Sequence, residues 1–330
     1  MEILLPTDDN LRRAGECIAR GGLVALPTET VYGLGADAFD ARAVARVFEA
    51  KARPSFDPLI VHVATIEGVD RVAEASNPKA RALMETLWPG PLTLVMPKRD
   101  AIPDIVTSGL GTVAVRLPAH PVARAIIAYS GTAVAAPSAN PFGYLSPTRA
   151  EHVARGLGER VDIIVDGGPC AVGVESTVLD MTVEPPHLLR PGGMTAEAIE
   201  AVIGRIDRSK AHEAASVAAA SPGLLDKHYA PRTPLHLFGP GALASARPRG
   251  KAAVLILSPA SHETLAATAG RFEIARYLSP SGDLVEAAAG LFAALHDLDS
   301  GEFDEIWAER AGEGGLGPAI NDRLEKASKK

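Results

Sequence analysis

The sequence predicts a mixed α/β protein built from two globular units. Length is the first reason: its 330 residues exceed twice the roughly 150 residues typical of one domain. Composition is the second, because 47% hydrophobic and 22% charged residues supply packed cores and exclude a disordered solvating chain. The third is pattern, since short apolar runs alternate with helical periodicity, as an α/β domain requires.

Taken in order, residues 11–20 read as a helix, closed by Gly21-Gly22 ahead of a strand over 23–27. Residues 41–51 form a second helix with Val44, Val47 and Phe48 on one face and Pro54 just beyond its end. Strands follow over 59–63 and 112–117. The small apolar run 132–136 delivers Pro137-Ser138-Ala139-Asn140-Pro141 into a turn. Ser146 has the chemistry of an N-cap for a helix starting near Pro147. Glu175-Ser176-Thr177 lies within a strand-like run, and Arg190-Pro191-Gly192-Gly193 ends another. Composition then shifts to the run 214–220, Ser221-Pro222-Gly223 and the mixed string 226–232, which read as a linker. Beyond it, strand-like runs at 252–257 and 303–307 and helical ones at 284–296 and 319–326 fit a small second α/β domain. The expected organisation is therefore a domain over 1–206, a linker over 207–234 and a second domain over 235–330.

Charge and cysteine content exclude several classes. Lys plus Arg number 33 against 40 for Asp plus Glu, a net −7, so bulk positive charge cannot hold this chain on a nucleic acid, and no stable nucleic-acid binding is expected. Cys17 and Cys170 have no partner at metal-ligand spacing, which argues against a disulfide scaffold or a zinc module. Glu2, Asp8 and Asp9 are unlike a secretory signal, and the longest apolar runs fall far short of the roughly 20 residues that span a bilayer. A cytoplasmic protein without membrane contact is expected.

Strand alternation identifies the first candidate chemistry. In 112–117 the residues Val113, Val115 and Leu117 share one face, leaving Thr112, Ala114 and Arg116 on the other. In 59–63, Leu59, Val61 and Val63 oppose Ile60 and His62. Two strands thus offer Arg116 and His62 on their less apolar faces, either as solvated or hydrogen-bonded residues or as an anion-binding surface. Lys51 and Arg53 at a helix C-terminus are equally consistent with electrostatic capping and with a phosphate clamp. No Gly-x-x-x-x-Gly-Lys-Ser/Thr loop or Gly-x-Ser-x-Gly elbow is present, and Gly33-Leu34-Gly35 is a weak dinucleotide signal. Composition and spacing alone end at an α/β protein with a candidate anion pocket.

The assembled motifs, however, closely resemble the YrdC-like threonylcarbamoyl-AMP synthases in their long form. The matching stretches are Leu26-Pro27-Thr28-Glu29-Thr30-Val31-Tyr32-Gly33-Leu34, Lys51-Ala52-Arg53-Pro54, Pro58-Leu59-Ile60-Val61-His62, Trp88-Pro89-Gly90-Pro91-Leu92-Thr93, Pro137-Ser138-Ala139-Asn140 and Glu175-Ser176-Thr177-Val178. The long form is marked by Ser221-Pro222-Gly223, His228-Tyr229-Ala230-Pro231, Gly315-Leu316-Gly317 and Ala319-Ile320-Asn321-Asp322-Arg323.

The resemblance implies a twisted, open YrdC-like α/β catalytic domain, a smaller Rossmann-like C-terminal domain, and a linker lying over the active site. It also implies the activity: ATP-dependent condensation of L-threonine with bicarbonate or CO2, giving threonylcarbamoyl-AMP and pyrophosphate. That product would pass to the tRNA threonylcarbamoyltransferase complex for modification of tRNA. Carried over by position, threonine falls near Thr30, His62, Arg116, Ser176 and the backbone of Ala136. ATP falls near Lys51, Arg53, Asp57, Thr112, Ser138, Asn140, Ser146, Arg190 and linker residue Tyr229. Lys51, Arg53 and Arg116 are the expected catalytic cations, and Mg2+ would enter with ATP rather than on a protein site. Asp57 departs from the pattern, since many members carry Asn there; its carboxylate would oppose a phosphate unless magnesium or Arg53 offsets it. The competing readings are an RNA-binding module and a carbamoyl-transfer enzyme of the hydrogenase-maturation type, although the zinc-finger cysteines of the latter are missing.

Overall fold

The computed structural model describes residues 1–209, 229–268 and 270–329. They divide into two compact units, the first comprising 1–142, 147–171 and 175–209, and the second 143–146, 172–174 and the described residues from 229 onward. Most of the expected linker, with Ser221-Pro222-Gly223 and His228, lies outside the described residues.

The first unit contains ten strands: β1 (Glu2–Leu4), β2 (Val24–Leu26), β3 (Gly33–Asp37), β4 (Ile60–His62), β5 (Leu92–Pro97), β6 (Thr112–Arg116), β7 (Val134–Ala135), β8 (Ile163–Val165), β9 (Thr177–Asp180) and β10 (His187–Arg190). They form one twisted sheet of mixed direction, ordered β1-β8-β2-β3-β7-β4-β6-β5-β9-β10. Its helices are α1 (Asp8–Ala19), α2 (Ala41–Lys51), α3 (Pro78–Leu87), α4 (Asp104–Thr107), α5 (Pro121–Ser130), α6 (Ala150–Leu157) and α7 (Ala196–Ile203).

Alternation along the strands divides the sheet as the sequence predicts. Val61, Val113, Val115 and Leu117 join the main core with Val44, Val47 and Phe48 of α2 and Leu83 and Met84 of α3. On the opposite face, α1 and α5 cover Val24, Leu26, Val134 and Val165 with Leu11, Ile18, Ile126 and Ile127. Further along that face Ile60, Val95, Ala114, Val178 and Leu189 make a small separate cluster, and the polar residues of the candidate site stand beside it. Helix α1 starts earlier than its apolar period suggests, because Thr7 accepts a hydrogen bond from Asn10 N and Asp8 and Asp9 fill the first turn.

One local expectation is corrected. Ser146 caps no helix: α6 begins at Ala150, with Arg149 in the N-cap position. The Pro147 and Thr148 carbonyls accept from Tyr32 N and Cys170 N, so this backbone serves long-range contacts instead of a helical turn.

The second unit contains β11 (Leu235–Phe238), β12 (Ala252–Ile256), β13 (Ile274–Tyr277) and β14 (Glu305–Glu309), with helices α8 (Pro259–Thr264), α9 (Leu284–Asp299) and α10 (Gly317–Ser328). Its strands are parallel, in the order β11-β14-β12-β13. Glu309, fully buried at the end of β14, organises the carboxyl ends of three neighbouring strands. Its carboxylate accepts from Gly241 N at 2.7 Å, Leu257 N at 2.8 Å, Ser258 N at 2.9 Å and Ser261 Oγ at 2.7 Å. Removing it strands several buried donors at once, so Glu309→Ala is expected to cost at least about 3 kcal/mol. Denaturant unfolding followed at Trp307, on the same strand, checks this; an unchanged midpoint would contradict it.

Candidate active site

The site grows from the pairing of β4 with β6. Their parallel register sets His62 opposite Arg116, with both side chains buried on the face that carries Ile60 and Ala114. The turn after β2 meets them. Thr28 Oγ1 donates to Val31 O at 2.6 Å and accepts from the Thr30 and Val31 amides, which folds the turn tightly and turns Thr30 inward. Arg116 then donates from Nη1 to Thr30 Oγ1 at 2.9 Å and from Nε to Gly90 O at 3.2 Å. Its Nη2 lies 2.6 Å from Glu29 Oε1, while Glu29 Oε2 accepts from Ala119 N at 3.0 Å. Burial works most strongly on the Glu29 carboxylate and pushes it up, but the Arg116 charge together with the hydrogen bonds to the carboxylate, that from Ala119 N among them, outweighs it and holds the group below the usual carboxylate range. Burial, reinforced by Arg116, lowers the His62 pKa to about 3, so its imidazole is neutral at neutral pH.

A second link runs through β5, β9 and β10. Ser176 Oγ shares a 2.8 Å hydrogen bond with Thr93 Oγ1. Arg190 Nη2 donates to Ser176 O at 2.9 Å, and its Nε to the same carbonyl at 3.2 Å. This approach requires Gly192, because a Cβ there would lie 2.4 Å from the backbone of residues 175–177.

The third group gathers at the end of α2. Lys51, fully buried, directs Nζ at Ser138 O and Asn140 O, 2.5 Å from each. It therefore ties down the loop after β7 and does not cap its own helix. Burial, then the charge of Arg53, pulls the Lys51 amine well below its ordinary pKa. Ala52 turns left-handed at φ 51°, and Arg53 folds back on the following turn, donating to Asp57 O at 3.1 Å and Pro58 O at 3.0 Å. The Asp57 carboxylate pairs with Arg53 Nη2 at 2.8 Å. Burial raises the Asp57 pKa, while Arg53, Lys51 and Arg190 pull the other way, so these four groups share one electrostatic neighbourhood.

The other expected residues are placed as follows. Thr112 starts β6 on the Arg116 side, about 13 Å from it at the usual strand rise. Ala136 spends its amide on Ile60 O, leaving its carbonyl as the group able to serve a ligand. Asn140 Nδ2 donates to Pro141 O. Ser146 and Tyr229 belong to the second unit. There the Ser146 carbonyl faces His296 Nε2 at 3.1 Å, and the buried Tyr229 ring packs 5.6 Å from Phe292 with the Arg323 guanidinium 5.2 Å from its centroid. Among the described residues no group of three or more His, Cys, Asp or Glu is arranged to hold a metal.

Glu29, Thr28 and Thr93 were not singled out from the sequence. Glu29 and Thr28 lie within the same motif as Thr30, and Thr93 alternates with Leu92 and Leu94, so strand alternation would have found it.

A two-unit α/β protein whose larger sheet carries buried cations against hydroxyls, carbonyls and carboxylates defines a small-molecule enzyme class that handles anionic substrates. Comparison with known proteins gives the family. The family described as Telomere recombination matches residues 16–192, and that described as Threonylcarbamoyl-AMP synthase, C-terminal domain, matches residues 194–329. The chain is 43% identical to a threonylcarbamoyl-AMP synthase of Pyrococcus abyssi over 319 residues, covering 96% of this chain and 94% of the relative. It is 44% identical to that of Bacillus subtilis over 334 residues, covering 98% and 94%. The crystal structure of P. abyssi Sua5 complexed with L-threonine superposes with a TM-score of 0.90 at 41% identity, covering 99% of this chain and 98% of that one. The chain belongs to the threonylcarbamoyl-AMP synthase family.

The neutral state of His62 has a consequence for stability. Its folded pKa is depressed from the ordinary 6.5 to about 3, so between those values the unfolded chain binds a proton that the folded chain refuses. This contribution is complete above 6.5 and is lost as pH falls toward about 3, at up to about 1.4 kcal/mol per pH unit. His62→Gln is therefore expected to lose less stability than the wild type between neutral pH and about pH 5, measured by urea unfolding. Parallel losses in the two proteins would show that His62 already titrates normally.

Proposed function

We propose that this chain makes L-threonylcarbamoyladenylate from L-threonine, bicarbonate or CO2, and ATP, releasing pyrophosphate. The observation that carries this reading is the near full-length similarity to threonylcarbamoyl-AMP synthases, with a threonine complex among the matching structures. The threonine ammonium gives up a proton, and the free amine adds to CO2, taken directly or formed from bicarbonate with loss of water, to give a carbamate and release a second proton to solvent. A carbamate oxygen then attacks the α-phosphorus of ATP, breaking its bond to the bridging oxygen and expelling pyrophosphate. No protein nucleophile is needed, so positioning and charge neutralisation carry the catalysis.

In this reading Arg116, fixed by Thr30 and Gly90, receives the threonine carboxylate, with neutral His62 and Ser176 around the rest of the molecule. Lys51, Arg53 and Arg190 face the phosphates, and the Ser138–Asn140 loop held by Lys51 shapes the nucleotide side. Thr112 is the further nucleotide contact within the first unit. Mg2+ would enter with ATP and would neutralise phosphate charge, while Asp57 stays paired with Arg53. The product passes to a tRNA threonylcarbamoyltransferase in the cytoplasm. No helix among the described residues is long and apolar enough to cross a membrane. The carbamoyl-transfer and RNA-binding readings gain no support from these near full-length relatives.

Pyrophosphate release with magnesium present, each substrate omitted in turn, tests the reading. Release that needs both threonine and bicarbonate is expected; threonine-independent hydrolysis would overturn it. Arg116→Ala is expected to raise KM for threonine by about 10- to 100-fold, the worth of a hydrogen bond to a charged group, with little change in KM for ATP. Asp57→Asn, which frees Arg53 from its carboxylate, is expected to lower KM for ATP, most clearly at limiting magnesium. A raised KM would instead make Asp57 a required partner of the magnesium nucleotide.

A further inference from the structure

The ion pair between Glu29 and Arg116 is geometrically unfinished. The two groups lie 2.6 Å apart with side chains 10% and 4% exposed, yet neither Glu29 Oε1 nor Arg116 Nη2 makes an aligned hydrogen bond. The remainder of each side chain is held in place: Ala119 N donates to Glu29 Oε2, while Thr30 Oγ1 and Gly90 O accept from Arg116 Nη1 and Nε. Two buried atoms of opposite charge thus stand in ion-pair contact on anchored side chains, without the alignment of a good hydrogen bond. A ligand that offers an aligned acceptor to Arg116 Nη2 and an aligned donor to Glu29 Oε1 would add hydrogen bonds that the free site lacks.

The class of ligand that satisfies both carries a cation and an anion on neighbouring atoms. An α-amino acid does so, since a single carbon joins its ammonium to its carboxylate. We propose that Glu29 is a specificity-determining residue whose carboxylate receives the α-ammonium of the amino-acid substrate while Arg116 receives its carboxylate. The inference rests on the threonine reading above and adds the group that tells an amino acid from a simple carboxylic acid. A simple acid would satisfy Arg116 but place its own negative charge beside Glu29 with nothing to offset it, so the same residue attracts the right ligand and repels the wrong one. It also explains how a buried arginine stays available to substrate: Glu29 balances the charge of Arg116 in the free protein, while Nη2 makes no aligned hydrogen bond.

The test compares calorimetric binding of L-threonine and of 3-hydroxybutyrate, its deamino counterpart, to the full chain with ATP and magnesium present. The wild type is expected to bind the deamino acid at least about tenfold more weakly. The isosteric Glu29→Gln variant is expected to lose about tenfold in threonine affinity, to bring the two acids within about threefold of each other, and to keep its ATP affinity. Equal affinity of the wild type for both acids overturns the proposal even if the variant fails to fold, and so does a variant that keeps the full preference. Threonine-dependent pyrophosphate release without this discrimination overturns the role of Glu29 alone. Absence of threonine binding together with threonine-independent release overturns the synthase reading, and this inference with it.

Discussion

Lys51, Arg53, Arg116 and Arg190 are at most 7% exposed, and their burial is the constraint on which the rest of the first unit depends. A buried cation is tolerable only where carbonyls, hydroxyls or a carboxylate replace its water. Each cation here meets that demand in its own way. Lys51 takes two loop carbonyls, Arg53 folds onto the turn that follows it, Arg116 binds a hydroxyl, a carbonyl and Glu29, and Arg190 grips the Ser176 carbonyl. Because every partner lies far away in sequence or across a tight turn, the demands of the cations also fix where the loops go.

In the synthase reading proposed above, the same arrangement suits chemistry that needs no protein nucleophile. Donors that are already oriented in a water-poor place neutralise charge without reorganising during the reaction. The sheet supplies the rigidity: β4 and β6 hold His62 and Arg116 in register, while β5 and β9 bring Thr93 to Ser176. Gly192 permits the chain after β10 to press against residues 175–177, where any side chain would collide. Asp57 is balanced by Arg53, so its carboxylate stands among the buried cations as half of an ion pair and not as a bare charge.

The second unit solves a similar problem with the opposite sign. In an open parallel sheet, ligands characteristically bind at the carboxyl ends of the strands, where backbone N–H groups converge. Here those donors, from Gly241, Leu257 and Ser258, converge on the unit's own Glu309 carboxylate. The described part of the expected linker behaves comparably: Tyr229 is buried against Phe292 and Arg323, within this unit's core.

Much of the fold was legible in the sequence because periodicity is a local property. The helix over 41–51 matches α2 at both ends, and alternation in 59–63 and 112–117 correctly separated Val61, Val113 and Val115 from His62 and Arg116. The motifs likewise carried the family, since the order and spacing of short segments survive in one dimension. What the sequence could not contain was partnership. Whether Lys51 capped its helix or clamped a phosphate was undecidable from spacing, because its partners are the carbonyls of Ser138 and Asn140, nearly ninety residues away. Ser146 looked like a cap because Ser before Pro often is one, and long-range backbone bonds at Pro147 and Thr148 displaced the helix. Glu29 was hidden for the same reason: its significance lies in a 2.6 Å approach to Arg116, a contact that only the closing of the sheet creates. Local backbone preference and apolar period determine which elements form; the pairing of buried charges depends on distances across the fold, and the tertiary structure alone decides them.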